Sequence, residues 1–179
     1  MKTLFIGALA VLISASASAD RNQSAQSFEH LGPQSAITVS VSNLTCSTSA
    51  SAGAFNANSW SWGATNSVTT NGTGGGSAGK PTLTGLTIKK EFDGCSPALF
   101  AAVAGGKHLG VLLLSQLDSN GAVVATVKLS GVIATSWNVG SSTKESTPDE
   151  TVGFAFSIIC ITNSGASSQC YDLSQGKIA

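Results

Sequence analysis

Four cysteines are the residues of this chain whose type and spacing imply chemistry most directly: Cys46, Cys95, Cys160 and Cys170. An even number in an exported chain predicts two disulfides, for which three connectivities are possible. No two of them have the Cys-x-x-Cys spacing that is typical of a zinc site. Residues 160 and 170 flank a turn centred near Gly165 and could face each other across a hairpin, and that pairing would leave Cys46 to bond with Cys95.

A serine is the second candidate, because residues 75–79 read Gly-Gly-Ser-Ala-Gly and match the Gly-x-Ser-x-Gly pattern of hydrolases. That pattern has meaning only at a sharp turn from a strand into a helix. Here a Lys-Pro pair and then a strand follow, so nothing supplies an oxyanion hole. The two histidines, His30 and His108, have no acidic cluster beside them that would orient a base or complete a metal site. We therefore predict no enzymatic activity, no cofactor and no metal, with Ser77 as the only nominal nucleophile.

Two tryptophans could bind a ligand by stacking. Trp60 and Trp62 are two residues apart, so on a strand both indoles point to the same face. Such a pair could form a platform for a glycan or a peptide, but on a strand it more often packs in a core or an interface. We interpret the pair as packing or interface residues.

The N-terminus has the pattern of a Sec signal peptide over residues 1–19. Lys2 supplies the positive charge, residues 4–13 form the apolar run, and Ala-Ser-Ala precedes the cleavage point. The run is shorter than the roughly 20 residues that a membrane-spanning helix needs. We expect export to the periplasm or the extracellular space, with no membrane span in the mature chain. Residues 20–35 are expected to form a flexible lead-in, and residues 36–179 a single domain.

The composition narrows the choice of partners. Charged residues make up only 10% of the chain, and nine Lys and Arg balance nine Asp and Glu. A soluble domain usually has about 25% charged residues. No basic field is available to hold phosphates, so nucleic acid and acidic membrane surfaces are excluded as partners. A net charge near zero also permits self-association.

The elements that must position these residues are predicted to be mostly strands. Alternating apolar residues, or apolar runs between turns, predict strands at residues 37–41, 59–63, 86–89, 109–117, 122–139, 151–161 and 170–173. Asn120-Gly121 predicts a hairpin turn, and Gly131 a bend or bulge in the long strand. Residues 47–58 are small and polar and are expected to lie on the surface. This pattern predicts a closed barrel or two packed antiparallel sheets.

One short helix is predicted after residue 95. Ser96 is expected to be its N-cap and Pro97 its first residue, and Gly105-Gly106 should end it. Leu99, Phe100 and Val103 would form the apolar stripe that packs on the sheet.

The order of these pieces resembles the haemolysin-coregulated protein family, the tube subunits of bacterial type VI secretion systems. The stretches that carry the resemblance are Ser59-Trp60-Ser61-Trp62-Gly63, a glycine-rich loop ending in Gly79-Lys80, the strand Leu83 to Phe92, Ser96-Pro97 through Gly105-Gly106-Lys107-His108, Pro148-Asp149-Glu150-Thr151-Val152, and Tyr171-Asp172-Leu173. Together they run from about residue 37 to the C-terminus.

The resemblance implies a β-barrel with one flanking helix that assembles with itself into six-membered rings. In the family, the loop after the second strand helps the rings to stack. Carried over to this chain, that loop is Ala64 to Lys80, and its candidate stacking residues are Asn66, Asn71, Gly72, Gly74, Gly75, Gly76, Ser77, Gly79 and Lys80. Other type VI secretion components and secreted effectors are the further partners that the resemblance implies.

Three functional hypotheses follow. The first is a non-enzymatic, exported and disulfide-stabilised ring or tube subunit, since the signal peptide and the cysteines agree on an oxidising compartment. The second is a monomeric secreted binding module that reuses the fold and binds through Trp60 and Trp62. The third is a secreted effector or hydrolase, for which Ser77 is the only nominal nucleophile.

Overall fold

The computed structural model describes residues 35–47, 53–71, 75–143 and 146–179. The expected signal peptide, residues 1–19, and the lead-in before residue 35 lie outside the described residues.

The described chain is built mainly from strands. Their bounds are β1 Ile37–Val41, β2 Ala54–Ala57, β3 Ser59–Ser61, β4 Ala64–Thr65, β5 Val68–Asn71, β6 Gly75–Ala78, β7 Thr82–Leu83, β8 Leu86–Glu91, β9 His108–Leu117, β10 Val123–Gly140, β11 Asp149–Ala155, β12 Ile158–Asn163, β13 Gln169–Asp172 and β14 Lys177–Ile178. A helix, α1, spans Ser96–Ala104 between β8 and β9.

The principal sheet closes into an antiparallel barrel. β9 lies between β1 and β10, and the sheet continues from β10 to β11 and then to β8. β2 and β3 are separated only by Asn58, and they complete the circle because β2 pairs with β1 while β3 pairs with β8. Strands β12, β13 and β14 branch from the first half of β10. The prediction of a mainly β barrel with one short helix is confirmed.

Alternation along the strands places the core inside this barrel. Leu86 and Ile88 on β8, and Leu112 and Leu114 on β9, are completely buried, and the residues between them point outward or lie at the rim. Burying a side chain of this size contributes about 1.5–3 kcal/mol relative to leaving it in water. The period of two in the sequence therefore predicts the inner face correctly.

Two turns that the sequence predicts are present. Asp118 organises the tight connection from β9 to β10, since its Oδ1 accepts hydrogen bonds from the backbone N–H groups of Asn120 and Ala122. Gly121 has a φ of 80°, a conformation that glycine adopts without strain. The register of β9 against β10 shifts between Ser130 and Val132, around the intervening glycine. The bulge predicted in the long strand is therefore confirmed.

Two segments differ from the prediction. The expected surface stretch 47–58 contains β2, on which Phe55 and Ala57 are buried. Four residues of alternation among serines and asparagines are too few to stand out in the sequence. The single strand expected at 151–161 is two strands, because β11 pairs with the second half of β10 and β12 with the first half. The chain crosses from one half to the other at Phe156 and Ser157.

The helix begins at Ser96, the residue expected to be its N-cap. Cys95 occupies the N-cap position and makes no side-chain capping bond, so the prediction of Ser96 as N-cap is wrong. Ser96 is the first helical residue, and its Oγ accepts a hydrogen bond from the backbone N–H of Asp93 at 2.9 Å. The glycine end is as predicted, with Gly105 as C-cap and backbone bonds closing the last turn.

The buried face of the helix also differs from the expected stripe. Ser96, Leu99 and Ala102 are buried, which is the spacing of three that keeps residues on one side of a helix. Phe100 is turned away from that side and is 53% exposed, and its ring lies 5.3 Å from that of Trp137. Leu99 and Val103 of the expected stripe pack against the core, whereas Phe100 does not, so the stripe is confirmed in part.

Two opposite charges are buried beneath the helix. Lys90 on β8 and Glu150 on β11 lie directly opposite each other, and Lys90 Nζ is 2.7 Å from Glu150 Oε1. Lys90 also donates to the Ser96 hydroxyl and lies 2.8 Å from Asp93 Oδ1, while Trp137 Nε1 donates to Glu150 Oε2 at 3.0 Å. A buried ion pair persists only when hydrogen bonds satisfy its remaining atoms, and this network does so.

Candidate functional site

A twisted double hairpin replaces the glycine-rich loop that the sequence predicts. Residues 64–83, which we call the hairpin arm, leave the barrel after β3 and return to it before β8. At the base, β4 pairs with β7, and further out β5 pairs with β6. Among the described residues these four strands pair only with one another. The arm is therefore held by its own backbone hydrogen bonds, where the sequence predicts a glycine-rich loop without strands.

The candidate stacking residues are distributed along this arm. Asn66, Gly76, Ser77, Gly79 and Lys80 are described and exposed. The backbones of Asn71 and Gly75 form the last pair of the outer ladder. Gly72 and Gly74 belong to the tip, which lies outside the described residues. In the outer ladder Val68 is 63% exposed, and the base of the arm contains the apolar residues Ala64, Pro81 and Leu83.

The nominal nucleophile does not lie at a nucleophile elbow. Ser77 is in the middle of β6, opposite Thr69 on β5. A hydrolase serine needs the strand-to-helix turn that exposes it beside backbone N–H donors. His108 begins β9 and pairs with Ile133, on the barrel rather than on the arm. Ser77 and His108 are thus held by different elements.

The two tryptophans lie at the end of β3: Trp60 is on the strand, and Trp62 is in the short connection to the arm. Trp60 lies on β3 opposite Ile88, and its Nε1 donates to Gln116 Oε1 at 3.4 Å. Strand β3 ends at Ser61, so Trp62 lies beyond the strand rather than on the same strand face as expected. Both indoles are partly buried against the core. The packing interpretation of the pair agrees with this placement.

An apolar groove of about 230 Å³ opens where the base of the arm meets the β12–β14 branch. Its principal lining residues are Trp62, Ala64, Pro81, Leu83, Ile159, Ile161, Tyr171 and Ile178. Ile178, on the last strand, is 68% exposed. Sequence analysis did not identify this groove, although the exposed isoleucine beside the predicted strand 170–173 was a usable signal.

One residue that lines the groove, Tyr171, carries a buried polar atom without a partner. The hydroxyl of Tyr171 is buried and makes no hydrogen bond with any described residue. A buried hydroxyl normally finds a partner, since leaving it unpaired costs about 1–3 kcal/mol.

Two exposed carboxyl groups are tuned by local hydrogen bonds. The backbone N–H of Ala122 and then that of Asn120 hold the pKa of Asp118 below its ordinary value. The Ser174 hydroxyl and the Gln175 backbone N–H lower the pKa of Asp172 in the same way. Hydrogen bonds that favour the charged form of a carboxyl group explain both shifts. Both aspartates organise turns, so these shifts mark structural rather than catalytic groups.

All four cysteines are paired in the structure. Cys46 bonds with Cys95, with their Cα atoms 4.4 Å apart, and Cys160 with Cys170, with their Cα atoms 4.0 Å apart. Of the three possible connectivities, this is the one that the hairpin around residue 165 favours. Disulfides persist in a non-reducing environment.

In the part of the chain that the structure describes, no three His, Cys, Asp or Glu side chains form a group that could hold a metal ion. None of the described helices is both long and apolar enough to cross a bilayer.

The sequence family described as "Type VI secretion system effector, Hcp" matches residues 45–162, about two-thirds of the chain. The chain belongs to this Hcp family. The matched region includes the whole hairpin arm and the barrel strands from β2 to β11. Among curated proteins, none matches this sequence.

Solved structures of Hcp proteins have the same fold. Hcp1 from Salmonella typhimurium is 21% identical, with a TM-score of 0.68 over 82% of this chain and 99% of its own. A second structure, titled as a type six secretion system protein, is 19% identical, with a TM-score of 0.71 over 80% of this chain and 99% of its own. A type VI secretion system effector from Yersinia pestis is 20% identical, with a TM-score of 0.59 over 76% of this chain and 98% of its own. Almost the whole length of each of these three proteins is thus matched by this chain.

Proposed function

We propose that this Hcp protein is an exported, non-enzymatic structural subunit that assembles with itself into six-membered rings, and that its hairpin arm makes the contact between stacked rings. Homo-oligomeric rings are the assembly of the Hcp family. The observation that carries the role of the arm is its pairing: its described strands pair only with one another, and the outer ladder of β5 and β6 presents exposed side chains.

The charge of the chain supports assembly of identical copies. Positive and negative residues balance, so identical copies of the chain repel one another little. Contacts between successive rings are heterologous, because one surface of a subunit meets a different surface of the next. An arm at one end of a barrel meets this requirement.

We further propose that residues 1–19 are a Sec signal peptide and that residues 36–179 form the mature barrel domain after a lead-in. Two disulfides support an oxidising destination, in the periplasm or outside the cell. Partners in the same secretion system, including secreted effectors, follow from family membership.

One observation favours a second candidate function. The groove between Trp62, Leu83 and Tyr171 is apolar and open, as in a monomeric module that binds an apolar peptide segment. A ring subunit would fill such a surface with a neighbour. The two functions therefore differ in the oligomeric state that each requires.

The test is the absolute mass of the mature oxidised protein by light scattering, with negative-stain images of the same peak. We expect a mass of about six protomers, the cyclic assembly that closes a heterologous interface. A monomer over a wide concentration range would contradict the ring and leave the groove as the functional surface.

The role of the arm is tested by replacing residues 70–76 with Asn-Gly. This dipeptide joins the paired residues Thr69 and Ser77 through a two-residue hairpin turn. We expect single rings to form and stacks to be lost, since the barrel keeps every strand pair. Lys89→Gln, an exposed substitution on the barrel strand β8, is the control, because it leaves the arm unchanged and should stack normally. Unchanged stacks in the shortened arm would disprove its role.

A further inference from the structure

The two disulfides have different surroundings. Cys46 and Cys95 are 8% and 2% exposed and lie in the core beside the helix. Cys160 and Cys170 are half-buried and lie directly opposite each other on β12 and β13. A thiolate can attack a disulfide only where it can reach a sulfur atom. The second disulfide is therefore the accessible one.

A row of residues across the outer face of the sheet places a cation beside this disulfide. Lys128 on β10 lies directly opposite Cys160, which in turn lies opposite Cys170. Directly opposed residues share one face, with Cβ atoms about 4.5–5.5 Å apart. Lys128 is exposed, and its other neighbour in the row is Leu113, so its ammonium group can lie over Cys160.

The row also distinguishes the two sulfur atoms. The side of Cys170 away from Cys160 is bordered by the exposed Ser168, whose hydroxyl is 3.8 Å from the sulfur, and by Ala179, whose N–H donates to the Cys170 carbonyl. The corresponding side of Cys160 is occupied by Lys128. An attacking thiolate approaches along the sulfur–sulfur axis, so Cys170 is open to attack and Cys160 departs next to a positive charge.

We propose that Cys160–Cys170 is a thiol–disulfide exchange site that accepts a dithiol reductant. One thiolate of the reductant bonds to Cys170 Sγ, the sulfur–sulfur bond breaks, and its electron pair leaves on Cys160 as a thiolate stabilised by Lys128. The second thiolate of the reductant then attacks the mixed disulfide, is oxidised to a disulfide with the first, and releases Cys170. Protons from the reductant's thiols end on the two cysteines.

Exchange at this site acts on the branch that forms one wall of the apolar groove. β13 is joined to β12 by four residue pairs and by this disulfide, and among the described strands β14 pairs with β13 alone. Tyr171 and Ile178 on these strands line the groove. Reduction therefore loosens the groove wall without touching the disulfide beside the helix. The proposal does not depend on ring assembly, because every residue it uses lies on one chain.

The first experiment treats the mature oxidised protein with dithiothreitol under native conditions, quenches with iodoacetamide at intervals, and maps the alkylated peptides. We expect Cys160 and Cys170 to be alkylated at least about tenfold faster than Cys46 and Cys95, because buried sulfurs exchange only after local opening. Equal rates, the reverse order, or no reduction before unfolding would each overturn the proposal.

The second experiment tests the direction of attack with glutathione, a single thiol that leaves a stable mixed disulfide. We expect the glutathione on Cys170, and its recovery on Cys160 would overturn the assignment. Lys128→Gln should slow reduction by dithiothreitol about threefold, because the positive charge no longer stabilises the departing Cys160 thiolate. Lys89→Gln, an exposed lysine on β8, is the matched control and should leave the rate unchanged. Equal rates in the Lys128 variant and the control would remove the role of the cation.

Discussion

The two ends of β8 connect to opposite kinds of structure. After Glu91 the chain enters the helix, which covers a buried ion pair and is bonded to the segment before β2 by Cys46–Cys95. Before Leu86 the chain comes from the hairpin arm, which is polar and exposed and stands beside an open apolar groove. The same strand thus separates a closed end, where polar atoms are buried and paired, from an arm end, where apolar atoms remain exposed.

This difference indicates that one end of the barrel stabilises the fold and the other end makes contacts with partners. The Lys90–Glu150 pair at the closed end is removed from water, so the loss of either partner leaves a buried charge without compensation. Charges at the arm end are exposed, and water replaces any partner they lose. Changes at the closed end should therefore unfold the barrel, while changes at the arm end should alter its contacts.

The largest expected effect is at the closed end. Glu150→Ala leaves Lys90 buried without its closest carboxylate and removes the acceptor of Trp137. Breaking one partner out of a buried ion pair costs about 3–5 kcal/mol. We expect a loss of this size in the free energy of unfolding, measured by urea denaturation of the oxidised protein.

The double variant Lys90→Met, Glu150→Leu is the control for this prediction. Replacing a buried ion pair by apolar residues of similar volume is often neutral or stabilising. We expect the double variant to recover most of the lost stability. If Glu150→Ala unfolds at the same urea concentration as the unaltered protein, then the closed end does not depend on its ion pair.

The second prediction compares one disulfide from each end. Cys46–Cys95 spans 49 residues and Cys160–Cys170 spans 10. In the chain-entropy model, the first bond contributes about 4 kcal/mol and the second about 3 kcal/mol. The first contributes more because its longer loop restricts the unfolded chain more. Replacing each pair by alanines should therefore lower the free energy of unfolding, measured by urea denaturation, more for Cys46–Cys95 than for Cys160–Cys170. A larger loss for Cys160–Cys170 would contradict the ordering of the two ends.

Much of the fold is predictable because its signals are local. The alternation in Ile37–Val41, the Asn-Gly turn and the bulge at Gly131 depend on neighbouring residues alone. The hairpin arm is different, since no alternation of apolar residues marks its strands, and only its glycines pointed to an unusual segment. The division of β11 from β12 depends on how each pairs with β10, which a local pattern does not contain.

The buried ion pair was missed for a different reason. Lys90 continues the inward series of Leu86 and Ile88, and Glu150 begins that of Val152 and Phe154. The period of two therefore places both charges inside, and their opposite signs suggest that they pair. Assigning charged residues to the surface by type conceals this signal. The groove depends on contacts between the arm and the branch, which no segment of the sequence contains by itself.

The smallest expected effect concerns an exposed charge at the end from which the arm leaves. Asp118 has a pKa below the ordinary value of 3.8, held down first by the N–H of Ala122. A carboxyl group with a lower pKa in the folded state stabilises the protein above its unfolded pKa, and this contribution is lost as the pH falls through the folded pKa. Between about pH 5 and pH 2, the melting temperature of Asp118→Asn should thus fall less steeply than that of the unaltered protein.

Asp149→Asn, at the start of β11 on the closed end, is the comparison variant. Parallel curves for Asp118→Asn and the unaltered protein would show that the turn gains nothing from the charge, and the contrast between the ends would then rest on buried groups alone.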